Sequence, residues 1–595
     1  MYAEQLSYTG DVNLDKFQKE YEYYDRLHKE KYRDRNQSKR EHTETLAINL
    51  GSSNKHTREL YEILDNERFL PAGRIQAALG ATEREVSPFN CSVSQKIEDD
   101  IPSIYSALGH AAQILRLGTG IGYNFSHLRP KGALVKKLQA QASGPISFME
   151  LFNSSASLIE SAGHRRGAQM GILNVNHPDI EQFINAKMET GKFGYFNISV
   201  GISESFMSAV KADSSWNLVF GERVYRTVSA RELWGRIIDN AYDSAEPGIV
   251  FLDRMNEMNN LWYCEEIEAT NPCSEQPLPP YGLCTLGSFN LVKYLVKTNI
   301  AISENIVHWG FDFDQFKQDI HAMVEAYDNV FDNAIYAIPE HKEEALNKRR
   351  IGLGLTGIAN AIEMMIGKPC YGEPQFNDLL QRICFNLTVT AYEASVELAK
   401  KRSPFPLFDP IRYIDSRFVR SLPSNLVDDI EKHGIRNSHL ISYAPCGTIS
   451  QCAGNVSSGV EPIFYHEVDR NVIMPTGKEK VTLTDWAYRE HGFRGKTLEE
   501  CSVDQHLAVA EICQRWCDSA VSKTINVAAD CSYEEYSKVY DRAYELGLKG
   551  ITVYRPTELR GSVIVKSEKT PVEPTEPVNT SELGTSRCAS GVCER

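Results

Sequence analysis

Between residues 86 and 555, short β-branched or apolar runs bounded by Gly, Pro and Asn alternate with amphipathic stretches such as 316–333, 377–401 and 506–522. Strands separated by helices predict an α/β fold with much parallel sheet, because parallel neighbours need a long crossover where antiparallel ones need only a tight turn. The flanks read differently. Residues 1–85 are charged and helix-like, with Tyr21, Tyr23 and Tyr24 set among Lys, Arg and Glu, and predict a small helical region ahead of a main domain over 86–555. Residues 556–587 are rich in Pro, Glu, Thr, Ser and Val without a helical period, so 556–595 is expected to be a flexible tail.

A length of 595 residues allows several domains or one large α/β barrel with appendages. A formal net charge of −15 argues against non-specific binding to nucleic acid, which needs a basic surface. No run approaches eighteen apolar residues, and the first residues lack a basic start followed by an apolar stretch, so no membrane segment is expected and the chain reads as cytoplasmic. In that compartment fourteen cysteines are poor candidates for structural disulfides, which leaves buried thiols for most of them and redox chemistry for a few. Cys513 and Cys517, four apart on a predicted helix, have no second ligand pair beside them to suggest a metal site.

Four segments carry chemistry. The first is Asn271-Pro272-Cys273-Ser274-Glu275-Gln276-Pro277-Leu278, with Cys284 soon after. In an extended strand Asn271, Cys273 and Glu275 would project together as amide, thiol and carboxylate. A carboxylate raises the pKa of a thiol beside it, so the trio favours proton and hydrogen-atom chemistry over a simple thiolate nucleophile. The second, Cys91 in Ser87-Pro88-Phe89-Asn90-Cys91-Ser92-Val93, reads on its own as a core cysteine in a short strand. The third, Pro445-Cys446-Gly447-Thr448-Ile449-Ser450, is a turn that could open a helix, and its amides and hydroxyls suit either a phosphate or an ordinary cap. The fourth, residues 161–171, spaces Gly163, Gly167 and Gly171 around Arg165, Arg166 and Gln169, and reads equally as a ligand-sensing loop or a solvated basic turn. The glycine-rich run 117–125 matches neither a dinucleotide fingerprint nor a P-loop.

Taken in order, these segments resemble the catalytic subunit of ribonucleotide reductases, specifically the adenosylcobalamin-dependent class II enzymes, over residues 69–555. Phe69-Leu70-Pro71-Ala72-Gly73-Arg74, Arg349-Arg350-Ile351-Gly352-Leu353-Gly354, Ser457-Ser458-Gly459-Val460-Glu461-Pro462 and Ser522-Lys523-Thr524-Ile525-Asn526 add to the resemblance. It implies a ten-stranded α/β barrel with a central finger loop. It also implies reduction of ribonucleotides, diphosphates by likeness to the dimeric branch, to 2′-deoxyribonucleotides.

Under the resemblance, Cys273 would become a thiyl radical that takes the substrate's 3′-hydrogen, Glu275 would accept the 3′-hydroxyl proton, and Asn271 would hydrogen-bond both substrate and Glu275. Cys91 and Cys284 would supply the reducing equivalents and end as a disulfide, and residues 445–450 would hold the substrate phosphates, with Cys446 standing where the family usually has threonine. Arg165, Arg166 and Gln169, together with Lys131, Lys136 and Lys137, would form specificity loops for dNTP or ATP effectors at a homodimer interface. Cys588 and Cys593 would re-reduce the active-site disulfide and be reset by a thioredoxin- or glutaredoxin-like donor. A random coil of the tail's length spans about 30 Å, enough to reach a barrel interior.

Two other readings stand beside this one: a class I subunit fed by a metal-containing radical generator, and a nucleotide-binding relative without chemistry. Tyr554 stands alone where class I enzymes carry a tyrosine pair, and the short gap from Cys273 to Cys284 is the class II spacing. No ATP-sensing cone is expected in residues 1–85, and no metal.

Overall fold

The computed structural model describes residues 14–135, 139–159, 167–189, 191–298, 308–474 and 477–556. Five strands lie side by side in chain order and parallel: β1 (Cys91–Val93), β2 (Gly120–Asn124), β3 (Gln169–Asn174), β4 (Phe196–Ile202) and β5 (Gly248–Phe251). Helices fill the crossovers, among them α5 (Ile101–Arg116) and α6 (Pro145–Leu158), preceded in the chain by α1 (Leu14–Tyr32), α2 (Lys39–Leu50), α3 (Asn54–Asp65) and α4 (Gly73–Ala78).

Strand β6 (Leu283–Asn290) runs antiparallel to β1 and parallel to β7 (Ile351–Thr356), while β9 (Gly550–Tyr554) pairs antiparallel with β5 and parallel with β8 (Thr524–Asn526). Two single parallel bridges join the remaining edges, Leu353 to Ile441 and Tyr443 to Val521 just upstream of β8. Backbone hydrogen bonds from Ser442 to Leu353 (3.1 Å) and from Ser522 to Tyr443 (2.9 Å) support them. The nine strands and the 441–443 segment thus return on themselves as a ring of ten.

The strands are buried on both faces, as parallel sheet covered by helices must be. One core packs α5 and α6 on β2–β5, with Tyr123, Phe152 and Phe196 at its centre. A second packs α7 (Phe313–Asn333) and α8 (Pro374–Arg402) on β6 and β7. Leu50, Leu60 and Ile63 of α2 and α3 belong to that second core together with Phe289 and Phe316, so the N-terminal helices share the barrel's apolar interior. Further along come α9 (Gly447–Cys452) and α10 (Val503–Arg515). The helix expected over 506–522 ends at Arg515, because the chain must turn there to deliver Val521 to the barrel wall. Among the described residues no helix is long and apolar enough to cross a membrane.

Candidate active site

Ala269–Thr270 and Pro277–Leu278 form a two-stranded hairpin whose tip carries residues 271–276. Donors from separate walls of the ring hold its carbonyls. Asn124 of β2 donates to Glu268 O (2.8 Å), Asn197 of β4 to Pro272 O (3.1 Å), and Ser442 Oγ and Ala520 N both to Glu275 O (3.0 Å each). The hairpin therefore sits inside the barrel. Gly122 lets it pass: a Cβ there would lie 1.8 Å from Thr270 O, which no side chain could share.

The tip is not the extended strand that the sequence reading assumed. Ser274 N donates to Asn271 O (3.0 Å) and Ser274 takes φ 64°, which makes Asn271–Pro272–Cys273–Ser274 a tight turn with proline at its second position. Asn271 organises it. Its N–H donates to Gln276 O (3.1 Å), its Oδ1 accepts from Gln276 N (2.9 Å), and its Nδ2 donates to Cys91 Sγ (3.1 Å). Through this turn, not through strand alternation, Cys273 and Glu275 reach one cavity while Asn271 reaches Cys91.

Cys91 and Cys284 are opposite partners on the antiparallel ladder between β1 and β6. Such partners have Cα atoms about 4.5 to 5.5 Å apart, inside the roughly 4.4 to 6.8 Å that a disulfide spans. Both thiols are reduced here. The hydrogen bond with Cys284 and then burial push the Cys91 thiol well above its ordinary range, Glu275 adds to the rise, and the Asn271 amide opposes it. Glu275 is buried, and burial pushes its carboxyl up to about 7 against the hydrogen bond from Asn271. Its Oε2 has no hydrogen-bond partner.

Cys91, Cys273 and Glu275 face one cavity. Ala72, Gly73 and the turn 445–449 wall it on one side, and Asn90, Gly118–Gly120 and Gly167–Ala168 on the other. A second cavity lies on the opposite flank of the hairpin. Pro272 and Cys273 border both, and Ser199, Gly248 and Thr552 line the second. One thiol therefore stands between two chambers.

Among the remaining predicted residues, Pro445, Cys446, Gly447, Thr448 and Ile449 line the first cavity. Cys446 Sγ lies 3.2 Å from Ser288 Oγ. The N–H groups of residues 447–449 occupy the first turn of α9, where helix geometry provides no acceptor. Ser450 is buried and turns back on its own helix, donating to Gly447 O (3.0 Å). Gln169 is a strand residue, buried at the start of β3, and its Oε1 accepts from Tyr123 OH (2.8 Å). Lys131 is exposed, with its N–H on Asp179 Oδ2 (2.8 Å). Lys136, Lys137, Arg165, Arg166, Cys588 and Cys593 lie outside the described residues. Gly122, Asn197, Ser442 and Tyr32, which position the hairpin or line the first cavity, carried no local signal in the sequence beyond a glycine inside a strand.

A ring of ten strands around a hairpin that carries a cysteine is the barrel architecture expected of a ribonucleotide reductase. The family description "Ribonucleotide reductase, barrel domain" matches residues 89–554, and the chain belongs to that family. It is 34% identical over 552 residues, 88% of this chain and 75% of the other, to a Mycobacterium tuberculosis protein named vitamin B12-dependent ribonucleoside-diphosphate reductase. A Thermoplasma acidophilum protein of the same name is 34% identical over 493 residues, 77% of this chain and 60% of that protein. The ribonucleoside-diphosphate reductase large subunit of Vaccinia virus is 27% identical over 456 residues, 70% of this chain and 57% of that protein.

Proposed function

We propose that this protein reduces ribonucleoside diphosphates to 2′-deoxyribonucleotides by cysteine-radical chemistry, with adenosylcobalamin as the radical source. The observation that carries the reading is Glu275, whose buried Oε2 has no partner and which lines the same cavity as Cys273 and Cys91. A buried carboxylate left half satisfied needs a donor from a ligand. A ribose 3′-hydroxyl supplies one.

In this reading Cys273 takes the 3′-hydrogen and Glu275 takes the 3′-hydroxyl proton. Cys91 protonates the departing 2′-hydroxyl, which leaves as water. Cys91 and Cys284 then give up two electrons and close a disulfide, and the 3′-hydrogen returns from Cys273. Asn271 holds the hairpin tip and Cys91 together meanwhile. The amides of residues 447–449 hold the phosphates.

The cofactor's adenosyl portion would lie in the second cavity, which Cys273 borders. A Cβ on Gly248 would stand 2.9 Å from Ser199 Oγ and 3.2 Å from Thr552 Oγ1, so the glycine keeps open a cradle that hydroxyls border. When bound, the cofactor supplies an organic radical by cleavage of its cobalt–carbon bond. Tyr554 lines a separate crevice with Cys501 and Cys531 that does not include Cys273, which favours this source over a tyrosine relay from a second subunit.

A homodimer, dNTP or ATP specificity effectors, a thioredoxin- or glutaredoxin-like reductant and a cytoplasmic setting complete the reading. Ile101 and Tyr105 on α5 and Leu158 on α6 are each more than half exposed, an apolar set suited to a second copy. The proposed domains are an N-terminal region 1–85, expected helical but carrying the strand Phe69–Pro71 paired antiparallel with β6, a catalytic region 86–555 and a redox arm 556–595. The test is turnover with adenosylcobalamin and a dithiol and no partner subunit. Activity that appears only with an iron or manganese protein contradicts the cofactor. Replacing Cys588 and Cys593 by serine should abolish turnover driven by thioredoxin.

A further inference from the structure

We propose that Tyr32, at the end of helix α1, restricts the substrate to two phosphates. This rests on the reading of the first cavity as the nucleotide pocket and of 445–449 as its phosphate side. Tyr32 lies outside the family match, which begins at residue 89, yet it lines that cavity. The ring is 4% exposed and packs in one apolar cluster with Leu70, Cys446 and Ile449. It also rests on Gly73: a Cβ there would lie 2.8 Å from Tyr32 Cε1 and 3.1 Å from its hydroxyl oxygen. The phenol therefore spans the gap between Gly73 and the phosphate turn.

This wall is rigid. His28 meets the ring edge-on at 5.3 Å, and His28 Nε2 is 2.9 Å from Gln76 Oε1, whose amide nitrogen donates to Pro71 O (2.6 Å). Nearer the start of α1, Glu20 pairs with the buried Arg489 at 3.3 Å, and Tyr21 and Tyr24 flank the same guanidinium at 5.0 and 5.6 Å. Arg489 in turn donates to Gly454 O (2.7 Å), just beyond α9. Moving α1, which carries the ring, would strain that buried ion pair, and leaving such a charge unpaired is strongly unfavourable. A further phosphoryl group would meet an aromatic ring of comparable size, and among the described residues no Lys or Arg lines the cavity to take up its added charge.

The experiment measures kcat/KM for the di- and triphosphate of one base with the full-length chain, adenosylcobalamin and a dithiol. Wild type, Tyr32→Phe, Tyr32→Leu and Tyr32→Ala are compared. Tyr32→Phe keeps the preference within about twofold, whereas Tyr32→Leu and Tyr32→Ala raise the triphosphate-to-diphosphate ratio by about tenfold or more, mainly through a lower triphosphate KM. An unchanged ratio in either folded variant overturns the proposal. Should Tyr32→Ala fail to give a cooperative melt, Tyr32→Leu, which keeps the contacts to Leu70 and Ile449, decides. Equal use of both substrates by wild type is a different result: it sinks the diphosphate reading before any variant is examined.

Discussion

Cys91 and Cys284, 193 residues apart in the chain, face each other directly across one antiparallel ladder. Neighbouring strands fix their separation, so closing a disulfide needs side-chain rotation and no rearrangement of the sheet. In the absence of external reductant, one round of reduction should consume two alkylatable thiols. Peptide mapping should find the loss at Cys91 and Cys284. Cys91→Ser and Cys284→Ser should each lower steady-state turnover by about a hundredfold or more. A thiol loss that maps to Cys513 or Cys517 instead contradicts the assignment.

Glu275 ties rate to pH. Its carboxyl is pushed up to about 7 by burial, so below that pH the base is protonated and kcat/KM should fall about tenfold per unit, levelling off above it. Stability runs the other way. The folded state holds this proton more tightly than the unfolded chain does, so the associated stability is complete below the ordinary carboxylate pKa and is lost as pH rises through about 7. A rise from 4.5 to about 7 corresponds to about 3 kcal/mol lost by pH 8. Glu275→Gln should therefore melt at a higher temperature than wild type at pH 8 while being inactive. A melting point equal to wild type at both pH 5 and pH 8 argues against a buried ionising carboxyl.

Gly122 tests whether the hairpin must occupy the barrel. Gly122→Ala sets a methyl 1.8 Å from Thr270 O, and backbone on both sides leaves no flexible group to yield. It should cost about 3 kcal/mol or more, or displace the tip and lower kcat about a hundredfold. Gly235→Ala is the control. Gly235 lies within the helix Ala230–Ser244 with nothing inside 4 Å of its would-be Cβ, so alanine there should stabilise by about 0.5 to 1 kcal/mol. Denaturant midpoints and steady-state rates of the two variants decide between these outcomes.

The α/β alternation was legible because hydrophobic periodicity is local: the stretches 316–333 and 377–401 lie within the helices Phe313–Asn333 and Pro374–Arg402. The finger departs from the expected strand for an equally local reason: Pro272 and the left-handed Ser274 make a turn, so turn chemistry and not alternation governs there. The pairing of Cys91 with Cys284 depends on strand order, which no spacing within the chain reveals, and only the family resemblance suggested it. Tyr32 was invisible for the same reason, since a tyrosine on a charged helix acquires meaning only when that helix docks on Gly73 and Ile449.

Cys446 separates side-chain from backbone recognition of phosphate. Its thiol lies 3.2 Å from Ser288 Oγ and 3.5 Å from Ala444 O, contacts that a threonine hydroxyl can also make, and it is 1% exposed. Its own N–H donates to Ser458 Oγ (3.2 Å), which leaves the amides of residues 447–449 for a ligand. If those amides do the binding, Cys446→Thr should leave the substrate KM within about threefold, because neither the turn nor its N–H groups move. Thr448→Ala, which removes a hydroxyl at the rim but keeps the amide, should raise KM by only a few fold, about 0.5 to 1.5 kcal/mol. A tenfold or larger fall in KM for Cys446→Thr would mean that the side chain at this position touches the phosphate, and that the thiol here weakens binding that threonine restores.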